Sequence, residues 1–309
     1  IAGTNNGTFM NGFLLLGINA APLIQKLFFA MSLFLYILTV LGNTIIIFII
    51  RLDSRLHSPM YFFLVNLSFI DILYTTTIIP NSLKNFIWED KSISFFGCFV
   101  QLFFFVGLGS SECVLLSAMG YDRYVAICHP LSYSRRMSQS VCLQVILFSW
   151  TFGFLNSLVH TVCTASLPFC KERTINHFFC DIPPLMKLSC RDTKPNELVS
   201  LFVGGAIIVG SLVLIIISYI CIIKAVLSIS KTNARHKTFS TCGSHLTVVS
   251  IFFGTVIITY LLPPSTTSSK QNQFLSMIYG IVTPLINPII YSFRNKDFQK
   301  GHPSLFPAT

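Results

Sequence analysis

Seven apolar stretches, each long enough to cross a lipid bilayer as a helix, constrain this chain more than any other feature. They run over Leu27–Ile50, Pro59–Ser82, Cys98–Arg123, Ser140–Cys163, Leu198–Leu227, Phe239–Leu262 and Phe274–Phe293. A spanning helix needs roughly 20 residues, whereas a membrane β-barrel would show alternating segments of about ten. Since 53% of the residues are hydrophobic and only 10% are charged, lipid is the expected solvent. The sequence predicts an all-α membrane protein, a seven-transmembrane helix bundle.

The loop charges predict the orientation of this bundle. With the N-terminus outside, the inner loops carry twelve Lys and Arg against three Asp, whereas the outer loops carry nine against six acidic residues. Positive residues collect on the cytoplasmic side, so we expect an extracellular segment 1–26, a seven-transmembrane domain 27–293 and a cytoplasmic tail 294–309. The sequon at Asn6 fits an outer N-terminus, and the first span is expected to act as an uncleaved signal anchor.

The net charge of +10 is then explained without a nucleic-acid partner, because anionic lipid attracts the positive inner face.

Four of the ten cysteines fall on the predicted outer face. An even number in an oxidising compartment indicates two disulfides, and spacing alone leaves three pairings open. Three of the four lie in a loop of over thirty residues, which we interpret as a lid over the outer mouth of the bundle. The four are Cys98, Cys170, Cys180 and Cys190.

Two acidic residues, Asp71 and Glu112, lie within predicted spans, where a carboxylate is costly and is usually functional. With Asn43 and Asn287 they are expected to form one buried polar cluster. Two nearby carboxylates can share a proton or hold a cation such as Na⁺. Both alternatives, a cation site and a neutral hydrogen-bonded network, remain open from the sequence.

Several long motifs resemble those of olfactory receptors within the rhodopsin-like G-protein-coupled receptors. MGYDRYVAICHPL at 119–131 is similar to MAYDRYVAICxPL, and LHSPMYFFL at 56–64 to LHxPMYFFL. KTFSTCGSH at 237–245 resembles KAFSTCxSH, and PLINP at 284–288 resembles PxLNP. These motifs occur in the family's order over roughly residues 13 to 297.

The resemblance implies a Cys98–Cys180 bridge, which leaves Cys170–Cys190 as the second. It also implies that Asp122 holds Arg123 at rest and that an agonist releases Arg123 to a stimulatory, cyclase-activating G protein. In the family, tyrosines at the positions of Tyr219 and Tyr291 move toward the arginine. The residues assigned to this switch by resemblance are Asp122, Arg123, Tyr124, Tyr219, Asn287, Pro288 and Tyr291.

Two departures from the family pattern stand out. Gly120 replaces the usual alanine beside the switch, which is expected to raise basal activity or to lower stability by up to about 1 kcal/mol. The tail from Phe298 lacks basic amphipathic character, and Gly301 and Pro303 should end any membrane-lying helix there. With the start at Ile1, the tail motivates one alternative reading, a trafficking-impaired variant of the same fold.

The predicted ligand is a small, largely apolar molecule. The outer half of span three holds no acid to pair with an amine, and span seven holds no lysine for a retinal Schiff base. Residues at three-and-four spacing in span three, with others at similar depth, suit an apolar pocket, and Ser110 and Tyr260 are the first choices for hydrogen bonds. The candidate ligand-binding residues are Phe105, Val106, Gly109, Ser110, Val203, Ile207, Phe253, Ile257, Tyr260 and Tyr279.

The function predicted from sequence is an odorant receptor in the plasma membrane, a multi-pass protein without catalysis, resident cofactor or metal. Its expected partners are a small odorant, a heterotrimeric stimulatory G protein and membrane lipid. No nucleophile–base pair or metal set lies together in one span. The alternative from another class is an ion channel or carrier that uses Asp71 and Glu112 as an ion path.

Overall fold

The computed structural model of the chain describes residues 12–17, 21–87, 91–170, 172–228, 232–262 and 268–293, without the side chains of 232–241, 269 and 291–293. Three predictions therefore lie outside the described part. These are the sequon at Asn6, the side chain of Tyr291, and the tail from 294 onward with Gly301 and Pro303.

Within the described residues, seven helices are long and apolar enough to cross a membrane, which confirms the predicted fold class. Spans one to four are Pro22–Leu52, Pro59–Ile87, Phe95–Cys128 and Gln139–Ala165. Span five comprises Lys194–Val199, the π-helical turn Ser200–Gly204 and Gly205–Leu227. Span six is Thr232–Tyr260, and span seven comprises Ser269–Met277, the π-helical turn Ile278–Val282 and Thr283–Phe293. The short helical segments are Ser54–Leu56, Pro130–Ser132, Tyr133–Arg136 and Ile182–Met186.

Local sequence accounts for where the spans begin. The Ser94 and Ser138 side chains accept hydrogen bonds from the backbone N–H groups of Gly97 and Val141, which caps spans three and four. Ser268 and Gln271 form a reciprocal capping box at span seven. Such caps satisfy helix-end N–H groups that have no partner within the helix.

Span three occupies the centre of the bundle and packs against spans two, four, five and six. It approaches span four closely at Gly153. A Cβ built on Gly153 would lie 2.7 Å from the backbone nitrogen of Ser111 and 2.8 Å from the Gly107 oxygen. Glycine at this point therefore permits contact between the backbones of the two helices, as small residues do in membrane bundles.

The loop between spans four and five is folded into a lid. Its strand β3 (Thr174–Ile175) joins strands β1 (Gly12–Leu15) and β2 (Ser92–Ser94) in the order β2-β1-β3. β1 pairs antiparallel with β2 and parallel with β3. The sequence did not predict this small sheet, which ties the N-terminal segment to two outer loops.

The two disulfides of the structure are Cys98–Cys180 and Cys170–Cys190, with Cα–Cα separations of 5.6 Å and 5.9 Å. This confirms the pairing implied by the family resemblance. The first bridge joins the lid to the outer end of span three, and its sulfurs lie in a separate buried apolar cluster with Phe13, Leu15 and Ile182. The lid therefore has its own small core above the main core of the bundle.

Candidate functional site

A cavity lies beneath the lid in the outer half of the bundle. It encloses about 610 Å³ of space between atoms, part of it open to solvent. Ligand pockets typically have mostly apolar walls with a few polar groups. The lining residues come from spans two to seven and the lid: Tyr74, Phe105, Val106, Gly109, Ser110, Cys113, Asn156, His160, Ile182, Ser200, Gly204, Ile207, Ile208, Phe252, Val256, Tyr260 and Tyr279.

Seven of the ten candidate ligand-binding residues line this cavity. They are Phe105, Val106, Gly109, Ser110, Ile207, Tyr260 and Tyr279. The structure places Val203, Phe253 and Ile257 elsewhere. Val203 belongs to the π-helical turn and is 37% exposed on the outside of the bundle, whereas Phe253 is buried and packs edge-on against Phe252.

Sequence reasoning missed several lining residues. On span six, Phe252 and Val256 line the cavity, whereas the sequence had predicted the residue that follows each of them, Phe253 and Ile257. On span four, Asn156 and His160 line the cavity, and a signal for them was available. Polar side chains inside an otherwise apolar span are rare and usually face the interior of the bundle.

A hydrogen-bonded network joins the lid to spans six and seven at the top of the cavity. The Asp181 carboxylate accepts hydrogen bonds from the Tyr260 hydroxyl at 2.9 Å and 3.0 Å and from the Tyr279 hydroxyl at 3.2 Å. Tyr279 also lies 2.9 Å from the Ser276 hydroxyl. The His177 Nδ1 accepts from the Phe179 backbone N–H, so Nε2 carries the proton and donates to Ser276 at 3.2 Å.

The carboxyl and imidazole groups of this network, on Asp181 and His177, are both buried. Burial raises the pKa of the Asp181 carboxyl to about 6, although the hydrogen bonds from Tyr260, the Ile182 backbone and Tyr279 favour its charged form. Burial lowers the pKa of the His177 imidazole to about 3. The lid therefore keeps His177 neutral at physiological pH, and Asp181 titrates closer to neutrality than an exposed aspartate.

The buried polar cluster predicted in the middle of the bundle is present in part. The Asn287 amide donates to both oxygens of Asp71, at 3.2 Å and 3.0 Å, and the Asn43 amide donates to the Pro284 carbonyl at 3.1 Å. Glu112 is fully buried. Among the described residues, neither of its carboxylate oxygens has a hydrogen-bond partner, and the same is true of the side-chain oxygens of Asn43 and Asn287.

At the inner end of span three, Asp122 and Arg123 have separate partners. The Asp122 carboxylate accepts a hydrogen bond of 2.8 Å from the Tyr133 hydroxyl, and the Arg123 guanidinium contacts the Met60 sulfur. Within the described residues, the one ion pair under 4 Å joins Arg55 and Asp53. Among the described residues, the close ion pair of Asp122 with Arg123 that the resemblance implies is therefore absent from this conformation.

A second buried contact joins spans three, five and six near the inner face. The Tyr219 hydroxyl lies 2.9 Å from the His245 Nδ1, and the His245 Nε2 lies 3.0 Å from the Leu116 carbonyl oxygen. A neutral imidazole donates from one nitrogen and accepts at the other, so His245 donates to Leu116 and accepts from Tyr219. Tyr124, the third switch residue of span three, bonds His129 at 3.0 Å. Pro288 lies inside span seven and faces Gly42 of span one.

Comparison with known proteins gives consistent matches over nearly the whole chain. A family model described as olfactory receptor matches residues 32–304. Olfactory receptor 8I2 of Homo sapiens is 49% identical over 308 residues, covering 98% of this chain and 99% of that protein. Olfactory receptor 1468 of Rattus norvegicus is 47% identical over 296 residues, covering 96% of this chain and 94% of that protein.

Among solved structures, squid rhodopsin has a similar fold. The TM-score is 0.69 at 18% sequence identity, over 94% of this chain and 87% of that one. At this identity the likeness concerns the fold alone, and it agrees with the arrangement of seven spans described above.

Proposed function

The chain belongs to the olfactory receptor family, and on that premise we propose that it binds a small, largely apolar odorant in the cavity beneath the lid and activates a stimulatory G protein that raises cyclic AMP. Family membership makes it a plasma-membrane, multi-pass receptor for odorants that signals through a G protein and is not an enzyme. The choice of cavity, of G-protein class and of second messenger is our proposal.

The observation that carries the proposal is the cavity itself. Aromatic and aliphatic side chains form most of its wall, and spans three, five and six contribute both to the cavity and to the inner contact of Leu116, Tyr219 and His245. A ligand that packs between these spans can therefore shift their relative positions. Allosteric coupling needs such differential contacts between two states.

Arg123 is the residue that we propose to contact the G protein. Within the described residues it has no acidic partner under 4 Å, so its charge is not neutralised by a close ion pair in this conformation. Arg135 and Arg136 lie in the inner loop that follows span three, and both are exposed. A positive inner face of this kind suits an acidic protein partner.

We also place a candidate Na⁺ site at Asp71 and Glu112. Four buried side-chain oxygens without partners among the described residues, two on Glu112 and one each on Asn43 and Asn287, are the oxygen ligands that hard cations prefer. If Na⁺ binds there, thermal stability rises with Na⁺ in the wild type and much less in Glu112→Gln. Equal melting temperatures in Na⁺ and in a bulky organic cation would instead favour the neutral network.

The test of the main proposal is cyclic-AMP production in cells that carry this chain and a stimulatory G protein, screened with a panel of volatile compounds. We expect a ligand-dependent rise in the wild type and none in Arg123→Ala, with surface labelling showing equal amounts of both proteins. A ligand-dependent current without G protein would favour the channel alternative, and protein held inside the cell would favour the trafficking-impaired reading.

A further inference from the structure

One wall of the cavity carries hydrogen-bonding groups that the protein does not use. Asn156 of span four lines the cavity and is 7% exposed. Its amide nitrogen donates to the Ser110 hydroxyl oxygen at 2.8 Å, but its amide oxygen has no partner among the described residues. A buried acceptor left without a donor is costly, so a ligand donor that reaches this oxygen gains a hydrogen bond.

His160 lies one helical turn further along the same face of span four. It also lines the cavity and is 5% exposed, and Nε2 points toward Gly204 of span five, 3.2 Å from where a Cβ would stand. No hydrogen bond to either ring nitrogen occurs within the part of the chain that the structure describes. A neutral imidazole offers one donor and one acceptor.

The opposite wall has much less hydrogen-bonding capacity to spare. The hydroxyls of Tyr260 and Tyr279 bond the Asp181 carboxylate and lie 3.2 Å from each other. Tyr260 was a first choice from sequence for a ligand hydrogen bond, but its hydroxyl proton is already donated to Asp181 of the lid. Ser110, the other first choice, accepts from Asn156, and its own proton has no acceptor among the described residues.

We infer that Ser110, Asn156 and His160 recognise the hydroxyl group of an alcohol, so that the preferred ligands are small alcohols with apolar bodies. This inference rests on the proposed function and names the ligand class for the same cavity. A hydroxyl is both donor and acceptor. It can donate to the free Asn156 oxygen while it accepts from Ser110 or His160, whereas an ether or a ketone can only accept.

The experiment compares alcohols with their methyl ethers in the cyclic-AMP assay on whole cells, with surface labelling of every variant. We use straight-chain and cyclic alcohols of a range of sizes. The span-four variants are Asn156→Leu and His160→Phe, which keep side-chain bulk and remove the polar atoms. Thr161→Val is the control, because it removes a hydroxyl without a partner among the described residues from the same span, at a residue that is not among those lining the cavity.

We expect alcohols to be about tenfold more potent than their ethers on the wild type, the order of one hydrogen bond. Asn156→Leu should bring this ratio close to one while the ethers still activate, which shows that the variant is folded. His160→Phe should reduce the ratio, and Thr161→Val should leave it unchanged.

Three results would overturn the inference: a ratio near one on the wild type, a ratio that survives in Asn156→Leu, or a ratio lost in Thr161→Val alone. Silence of every alcohol and ether, with receptor at the surface, would also contradict it. The proposed function itself would fail only if the wider volatile panel were silent as well.

Discussion

At the scale of single residues, Gly153 lies where spans three and four touch. A Cβ there would meet backbone atoms of span three at 2.7 Å and 2.8 Å, and backbone cannot move aside as a flexible side chain can. We expect Gly153→Ala to lower stability by about 1–3 kcal/mol, the usual cost of overpacking. Thermal unfolding of purified receptor measures this. Gly210→Ala is the matched control, because nothing lies within 4 Å of its Cβ position, and an equal loss in both variants would contradict the packing argument.

Gly120 is the opposite case. Its nearest neighbours, on His245 and Ile215, lie 3.5 Å and 3.6 Å from a Cβ, so alanine fits in ordinary contact. Because glycine weakens a helix interior, Gly120→Ala should raise stability by up to about 1 kcal/mol. The same thermal unfolding assay measures the gain, and a basal cyclic-AMP assay shows whether the glycine also raises activity. A lower melting temperature would contradict this prediction.

Residue spacing predicted the span-three wall of the cavity but not the rotation of spans five and six. Phe252 and Phe253 are both buried, so apolar periodicity cannot tell which of them faces the ligand. In span five the π-helical turn Ser200–Gly204 adds a residue to one turn. It brings Ser200 and Gly204 to the cavity instead of Val203. Such a turn has no reliable sequence signature.

At the scale of elements, the lid was predicted from loop length and cysteine count, whereas its sheet was not. Strand β1 has four residues and β3 has two, so neither shows a measurable alternation. Their pairing joins residues far apart in the chain, and local sequence does not specify such contacts. The two disulfides implied by the family resemblance are present. The spacing of the cysteines alone had left three pairings open.

The lid makes two opposite contributions to the pH dependence of stability. Below pH about 6.5, His177 becomes protonated in the unfolded chain, whereas in the folded lid it stays neutral until pH about 3. Through His177, acid therefore lowers the free energy of unfolding. Between pH about 6 and the ordinary value of 3.8, the folded lid holds a proton on Asp181 that the unfolded chain has released. Acid therefore raises the free energy of unfolding in that window.

Single variants separate these contributions. Asp181→Asn keeps an acceptor for Tyr260 but does not titrate, so its melting temperature should fall more steeply than that of the wild type from pH about 7 to about 5. His177→Asn should fall less steeply or rise. Melting curves of purified receptor at several pH values test this, and variants whose curves run parallel to the wild type would rule out the two buried groups as the cause.

At the scale of the whole molecule, the loop charges predict an outer N-terminus and a cytoplasmic tail. Asn6 can be glycosylated only if the N-terminus is lumenal. We expect Asn6→Gln to remove an enzyme-sensitive glycan and to increase mobility on a denaturing gel. An N-terminal epitope should be labelled on intact cells. Labelling of a C-terminal epitope on intact cells would contradict the orientation.

The central claim is that odorant binding in the cavity beneath the lid drives nucleotide exchange on a G protein. The most direct measurement uses purified receptor in lipid nanodiscs with a purified stimulatory heterotrimer and an odorant found in the cell screen. Gly109→Phe places a large ring in the cavity next to Tyr74 and is far from the inner face. We predict that odorant accelerates exchange with the wild type and not with Gly109→Phe. Equal acceleration with both proteins would contradict the account, as would no acceleration with the wild type.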